Sequence, residues 1–247
     1  MWGAAEYERI AERFAPIHDR LIAALGVKAG DRIVDVATGT GEVALRAARL
    51  GADVTGLDVA PALLKQARAK AEHDGLEIDW VEGNAERLPF EDGTFDVVCS
   101  NFGVIFAPDV EAAARELGRV CVHGGRLGLT TWKPNEGLHR IYATLEEDRG
   151  PDPAEEWGLE DRVRELLGAD FDLTIEEAVW ALEGDSPEDV WELMTAAAPP
   201  CKALVERLEP ARLAEFRSAM LEHWAAFERD GRIAEPQGYL VVLGRRR

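Results

Sequence analysis

Apolar positions along this chain change period several times, and the changes mark its elements. Near the N-terminus Tyr7, Ile10, Phe14, Ile17, Leu21 and Leu25 fall on one helical stripe, the spacing of an amphipathic helix. Pro16 interrupts it, so the pattern predicts a helix, a break and a second helix that stops at Gly26. From Arg32 to Trp132 short β-branched runs alternate with alanine-rich helical stretches, the rhythm of βαβ units in a parallel sheet. The strands are expected to end near Val36, Asp58, Gly83, Asn101 and Trp132, the fifth launched at residue 126 by Gly124-Gly125. Helices are expected over 41–50, 61–74 and 109–120, with Pro61 in a first turn and Asp109 as an N-cap.

After Trp132 the pattern changes. Residues 133–137 read as loop and 138–147 as helix, followed by an acidic, Pro- and Gly-rich stretch over 148–153. Residues 171–176 alternate like a strand, Ser186-Pro187 opens a helix, and 210–230 carries an apolar helical stripe. Residues 239–244 form a last buried strand, and Arg245-Arg246-Arg247 reads as a solvated tail. The fold expected is α/β: a doubly wound, mostly parallel, seven-stranded Rossmann-like sheet with an antiparallel last strand and a helical roof. The whole of 1–247 is read as one domain. It comprises an N-terminal lid (1–26), a cofactor-binding core (31–132), a substrate roof with an inserted strand (133–232) and the final strand (237–245).

The candidate chemistry gathers at the carboxyl ends of the strands, where ligands of such sheets bind. In Val34-Asp35-Val36-Ala37-Thr38-Gly39-Thr40-Gly41-Glu42 a strand gives way to small residues and a helix, a geometry that lets a ligand approach backbone N–H groups. Asp58 ends the second strand, where a carboxylate can accept from ribose hydroxyls. Asn84-Ala85 follows the third strand, and Asn101-Phe102 closes the fourth. Together these describe a nucleoside site.

On the segments VDVATGTGEVAL, GLDVAPALLKQAR, GNAERLPFEDGTFDVVCSNFGVIF and ELGRVCVHGGRLGLTTW, the chain resembles the class I S-adenosylmethionine (SAM)-dependent methyltransferases. It is most similar to the small-molecule branch typified by the ubiquinone and menaquinone biosynthesis methyltransferases (the methyltransferase type 11 group). The resemblance covers about Asp31 to Trp132. It implies SAM as cofactor and S-adenosylhomocysteine as product. It places Asp35, Ala37, Gly39 and Gly41 around the methionine part and gives Asp58 the ribose hydroxyls. Val59 and Leu63 would pack on the adenine, Asn84 and Ala85 would meet its edge, and Asn101 and Phe102 would line the pocket near the sulfonium. Ala37 stands where glycine is usual, which suits a negative φ, and Asn84 stands where aspartate is usual.

Composition narrows the acceptor. With 47 Asp and Glu against 28 Lys and Arg, the formal charge of −19 argues against a nucleic-acid substrate, which needs a cationic track. A small-molecule acceptor is expected, with its acceptor atom and the oligomeric state left open. No run is long enough to span a bilayer, no histidine spacing suggests a metal, and three scattered cysteines fit a reducing cytoplasm. Should the acceptor have to lose a poorly acidic proton, His18 on the lid and His139 at the start of the roof are the candidate bases. Two alternatives keep the nucleoside site but change its use. One is a non-catalytic SAM-binding partner subunit. The other is a nicotinamide-dependent dehydrogenase, which would show a GxGxxG fingerprint that Ala37-Thr-Gly39-Thr-Gly41 lacks.

Overall fold

The computed structural model describes residues 11–143 and 152–247. Tyr7, Ile10 and the Gly150-Pro151 stretch, on which part of the lid and hinge expectation rested, lie outside these residues. A 3-10 turn, Glu12–Phe14, runs into α1 (Ala15–Leu25), with Pro16 in its first turn and Gly26 closing it at a left-handed φ of 58°. The alternation then follows: β1 (Arg32–Val36), α2 (Glu42–Arg49), β2 (Asp53–Asp58), α3 (Pro61–Asp74), β3 (Asp79–Glu82), β4 (Phe95–Asn101), α4 (Val110–Val120) and β5 (Cys121–Trp132). Asp109 caps α4 as expected, its carboxylate accepting from the Ala112 amide at 2.8 Å. Beyond β5 come α5 (Glu136–Ala143), α6 (Pro153–Trp157), α7 (Glu160–Leu167), β6 (Phe171–Gly184), α8 (Pro187–Ala197), α9 (Pro199–Arg207), α10 (Pro210–Ala225), β7 (Glu228–Arg229) and β8 (Arg232–Arg246).

The strands form one mixed sheet in the order β3-β2-β1-β4-β5-β8-β6, with β7 paired to β8. The first five are mutually parallel, and β8 runs antiparallel between β5 and β6. This is the doubly wound, Rossmann-like sheet that the sequence pattern predicts, extended by a two-residue eighth strand. Alternation sets its faces. Ile33 and Val97 pack with α1 and α2 on one side, while Val34 and Val98 pack with α4 on the other.

Several boundaries differ from expectation. The fifth strand begins at Cys121, because a register shift between Phe95 and Val97 lets the chain pair before the two glycines. The sixth and last strands are longer, since β6 and β8 pair from Phe171↔Arg246 to Gly184↔Ile233. The helix expected over 210–230 stops at Ala225. Asp230 and Gly231, with φ of 52° and 76°, then turn β7 into β8, as an Asp-Gly pair does in a two-residue hairpin. The last residues are not a free tail: β8 runs through Arg246, although Arg245 and Arg247 keep exposed side chains. Arg246 is bound to the Asp170 carboxylate at 2.7 Å and to the Gly118 carbonyl, and Arg247 to Asp172 at 2.8 Å.

The stretch expected as a roof divides in two. Trp157, Val163 and Leu167 of α6 and α7 join the main core beside α4. Helices α8 to α10 build a separate cluster around Val190, Leu193, Phe216, Met220 and Trp224, closed by Leu182 and Ile233 of the paired strands. Glu235, fully buried, ties that cluster to β8: it accepts from His223 (2.7 Å), Asn135 (3.0 Å) and the Trp224 indole (3.1 Å).

Candidate functional site

The loop between β1 and α2 is shaped by three residues with positive φ: Ala37 at 55°, Gly39 at 58° and Gly41 at 84°. Gly41 admits no side chain, because a Cβ there would lie 2.7 Å from the Trp80 indole and 3.0 Å from Ala67. Ala37 is a correction to the expectation of a negative φ. Its left-handed backbone is one that an L side chain resists, and the local contacts impose it. Gly103 lies so close that a Cβ would come within 2.6 Å of both the Ala37 methyl and its carbonyl oxygen.

Asp58 is buried at the end of β2. One carboxylate oxygen accepts from the Gly39 amide and the other from the Ala60 amide, both at 2.8 Å. The loop after β1 is thereby fastened to the end of β2, and each oxygen keeps lone-pair capacity. Burial raises the Asp58 pKa despite these amides. Next to it Val59 is 64% exposed, whereas Leu63 is buried. Val59, unlike Leu63, therefore offers an open apolar face beside Asp58. Asn84 is exposed and its amide folds back, accepting from the Glu86 amide and donating to the Glu86 carboxylate, each at 3.0 Å. Ala85 packs partly buried against the main core.

Asp35, Ala37, Asn101 and Phe102 line one cleft together with Phe14, His18, Thr38, Thr40 and Glu42. Asp35 is 2% exposed, and burial pushes its pKa up to about 7 against the Thr38 hydroxyl that donates to it at 2.6 Å. Burial works against charge on Glu42 too, but Lys70 and Arg46 at 2.9 and 2.8 Å hold its pKa below the usual range. His18 is 4% exposed, and burial beside Arg46 lowers its pKa to about 4. Such a ring is neutral at pH 7 and a weak proton acceptor. Its Nδ1 and the Thr40 hydroxyl are both buried without a hydrogen-bond partner. The cleft holds about 30 Å³ of free space. His139 belongs to α5, but its side chain lies outside the described part of the structure.

Above this cleft stands an aromatic wall. Phe102, at a φ of 54°, stacks on Trp132 with centroids 3.8 Å apart and planes 2° from parallel. Phe14 packs on both and on Trp180 at 4.9 Å. The Trp180 indole donates to the Arg13 carbonyl at 3.1 Å, pinning the 3-10 turn to β6. On the far side of Arg13 and Trp180 lies a cavity of about 470 Å³, lined also by Glu183, Asp185, Asp189, Glu192 and Arg232. Phe14 lines the cleft and packs on Trp180, which lines the cavity. Asn101 accepts from the Thr130 hydroxyl at 2.7 Å on the same sheet edge.

The structure thus brings Asp35, Ala37, Gly39, Gly41, Asp58, Val59, Asn101 and Phe102 to one edge, and leaves Leu63 in the core. Thr38, Thr40 and Glu42 are additions that sequence reading missed, and so is the joining of Phe14, Trp132 and Trp180 into one wall. Trp132 was recoverable, since it ends a strand on the same edge. The approach of Phe14 to Trp180, 166 residues on, has no local signal.

Comparison with known proteins fits this geometry. Residues 34–129 match the family model described as a methyltransferase domain. An uncharacterized protein of Mycobacterium tuberculosis is 42% identical over 173 residues, a match covering 68% of this chain and 63% of that protein. A demethylmenaquinone methyltransferase of Thermus thermophilus is 48% identical over 109 residues, or 43% of this chain and 50% of the enzyme. The chain therefore spans under two thirds of the length of these relatives. Among solved structures, a Bacillus halodurans protein described as a candidate methyltransferase superposes with a TM-score of 0.68 at 25% identity, over 92% of this chain and 97% of that one.

Proposed function

We propose that this protein moves the methyl group of SAM to a small, partly apolar acceptor, a reading supported by the methyltransferase-domain match over residues 34–129 and by the likeness of its fold to a structure described as a methyltransferase. The observation that carries this reading is the juxtaposition on one sheet edge of the left-handed loop 37–41, the amide-held Asp58 carboxylate and the wall of Phe14, Phe102, Trp132 and Trp180. A buried carboxylate with free lone-pair capacity at the end of β2, beside a loop of left-handed residues, fits a ligand with an adenosyl part and an amino-acid head.

SAM, when bound, supplies an activated methyl and its own leaving group. The chain's residues then have three tasks. Asp58 holds the ribose hydroxyls, with exposed Val59 beneath the adenine. Asn84 and Ala85 flank the adenine edge, the Asn84 amide having first to release Glu86. Asn101, Phe102 and the rest of the aromatic wall keep water from the sulfonium and align the acceptor, which is where proximity lowers the barrier.

The acceptor enters from the 470 Å³ cavity, past Phe14 and Trp180. Four carboxylates against two guanidiniums line that cavity, which disfavours polyanions and agrees with the net charge of −19. In this reading the turn at Phe14, which lines the narrow cleft, shifts as the cofactor enters. The sheet, lid and α8–α10 cluster act in this reading as one domain. Three buried free thiols suit the cytoplasm, and no helix of the described residues is long and apolar enough to cross a membrane.

The test is transfer of label from methyl-labelled SAM across a metabolite extract, with Asp58→Ala in parallel. A labelled small molecule formed by the parent, and formed poorly by the variant at limiting SAM, is the expected result. Label confined to nucleic acid would contradict the acceptor class. SAM binding with no transfer to any fraction would favour a non-catalytic partner subunit.

A further inference from the structure

The amino ends of the parallel strands meet the end of β8 at the other edge of the sheet, and a cavity opens there that the proposed transfer does not use. Arg115 and Arg119 of α4, His123 of β5 and Arg246 of β8 line about 450 Å³ together with Asp92 and Asp170. Counting Glu116, which is paired with Arg119, acids and guanidiniums balance at this place, on a chain whose formal charge is −19. An anion repelled by the chain as a whole meets no such barrier here. Cys121 also borders the cavity, but burial pushes its thiol up to about 11. It stays protonated, so the place suits binding rather than thiolate chemistry.

Hydrogen bonding separates the cations. Arg119 is fully used: its five N–H donors go to Glu116, Asp92 and the Leu88 and Phe90 carbonyls. Arg246 gives Nε to the Gly118 carbonyl and Nη1 to Asp170, which leaves Nη2 over. Arg115 is exposed and has no hydrogen bond or ion pair among the described residues. Its whole guanidinium fork is therefore on offer. His123 donates from Nδ1 to the Arg247 carbonyl, so its neutral ring presents a lone pair at Nε2.

The place thus combines two donor groups with one acceptor, and together they name the ligand. A carboxylate or a sulfate satisfies the guanidiniums but brings no proton for His123 at pH 7. A phosphate group does both. Its oxygens fit the Arg115 fork in pairs, and with a second pKa of about 6 it still carries a P–OH in part of its population. We propose that this cavity binds a phosphate group, free or on a small ester, with Arg115 as its anchor and Arg246 and His123 completing the contacts from β8 and β5. The site lies at the strand edge opposite loop 37–41, and the inference stands apart from the SAM reading.

The test titrates the ¹⁵N-labelled full chain with inorganic phosphate, glycerol 3-phosphate and sulfate at fixed ionic strength, followed by amide chemical shifts. Both phosphates should give saturable shifts over residues 92–93 and 121–124 and none over 37–41, with sulfate the weaker ligand. Whichever of the two phosphates binds more tightly identifies the source, the free anion or an ester. Arg115→Gln should lower phosphate affinity about tenfold, the lower end for a hydrogen bond to a charged group because the side chain is exposed. The ligand-free variant should melt with the parent, since Arg115 holds nothing in the fold. Asp92→Asn should act in the opposite sense and tighten binding, because it removes an acid from the rim and weakens the hold on one Arg119 donor. His123→Phe should erase the preference for phosphate over sulfate. Shifts that never saturate, or an Arg115→Gln chain that binds phosphate as the parent does, overturn the site. Sulfate bound as tightly as phosphate by the parent overturns the ligand assigned to it.

Discussion

Ala37 holds a backbone conformation that its own methyl group resists. A left-handed φ of 55° costs an L residue roughly 1–2 kcal/mol, against about 0.5–1 kcal/mol of extra chain entropy lost by a glycine. Ala37→Gly should accordingly raise folding stability by up to about 1 kcal/mol in urea denaturation; a loss would mean that the methyl contact with Gly103 outweighs the strain. Asp35 makes the second residue-scale prediction. The folded chain keeps its proton up to about pH 7, whereas an unfolded aspartate releases it near pH 3.9, about three units lower. The folded pKa is raised, so the stability contributed at low pH is lost as pH rises through 7. Asp35→Asn lacks this titration, and its stability relative to the parent should grow by about 2 kcal/mol between pH 5.5 and 8. A difference that stays flat over that interval would remove the buried-carboxyl account. A cationic ligand would recover part of this cost by favouring the ionised form, which is a reason for a site to retain such a group.

At the scale of elements, the proposed function makes the turn at Glu12–Phe14 and the start of α1 the pieces that respond to a ligand. The turn is held to β6 by two hydrogen bonds, the Trp180 indole on the Arg13 carbonyl and the Arg13 guanidinium on the Glu183 carbonyl at 2.6 Å, whereas α1 is also anchored by Arg20 on Glu176 at 2.9 Å, by Arg126 on the Leu25 carbonyl at 2.8 Å and by its buried face. S-adenosylhomocysteine should raise amide-exchange protection over residues 12–25 while β1 and β4 stay unchanged; identical protection with and without the ligand would remove the lid. The elements themselves were unevenly legible. The strands of the first half could be read because β-branched runs end at residues of distinct chemistry, and the caps Asp109 and Ser186 because a short polar side chain before a helix has one common use. The helices α6, α7 and α9 escaped because the first two follow an acidic Pro- and Gly-rich stretch and the third begins at Pro199-Pro200, signals that read as loop. The Asp230-Gly231 hairpin was legible and was absorbed into a helix by the apolar stripe preceding it. The division of the roof, and the pairing of Arg246 with Asp170, depend on which face of the sheet each segment crosses, and no local pattern carries that.

The whole molecule joins a parallel half, with its strand ends on one edge, to an antiparallel half that raises a second cluster beyond that edge. Loop 37–41, Asp58 and Val59 belong to the first, Trp180 and the 470 Å³ cavity to the second, and Phe14 lies where they meet. The parallel half, with its strand ends on one edge, could be read from the sequence pattern. The acceptor half could not, because Phe14, Trp132 and Trp180 are brought together only by the tertiary fold. On this account the first half fixes the cofactor and the second chooses the acceptor, a division common where one fold serves many substrates. The central claim is that the shared edge is a site for an adenosyl sulfonium cofactor. Calorimetric titration of the full chain with S-adenosylhomocysteine and, separately, with NAD⁺ tests it most directly. The account predicts saturable binding of one S-adenosylhomocysteine per chain and none of NAD⁺; binding of NAD⁺ without S-adenosylhomocysteine would contradict it.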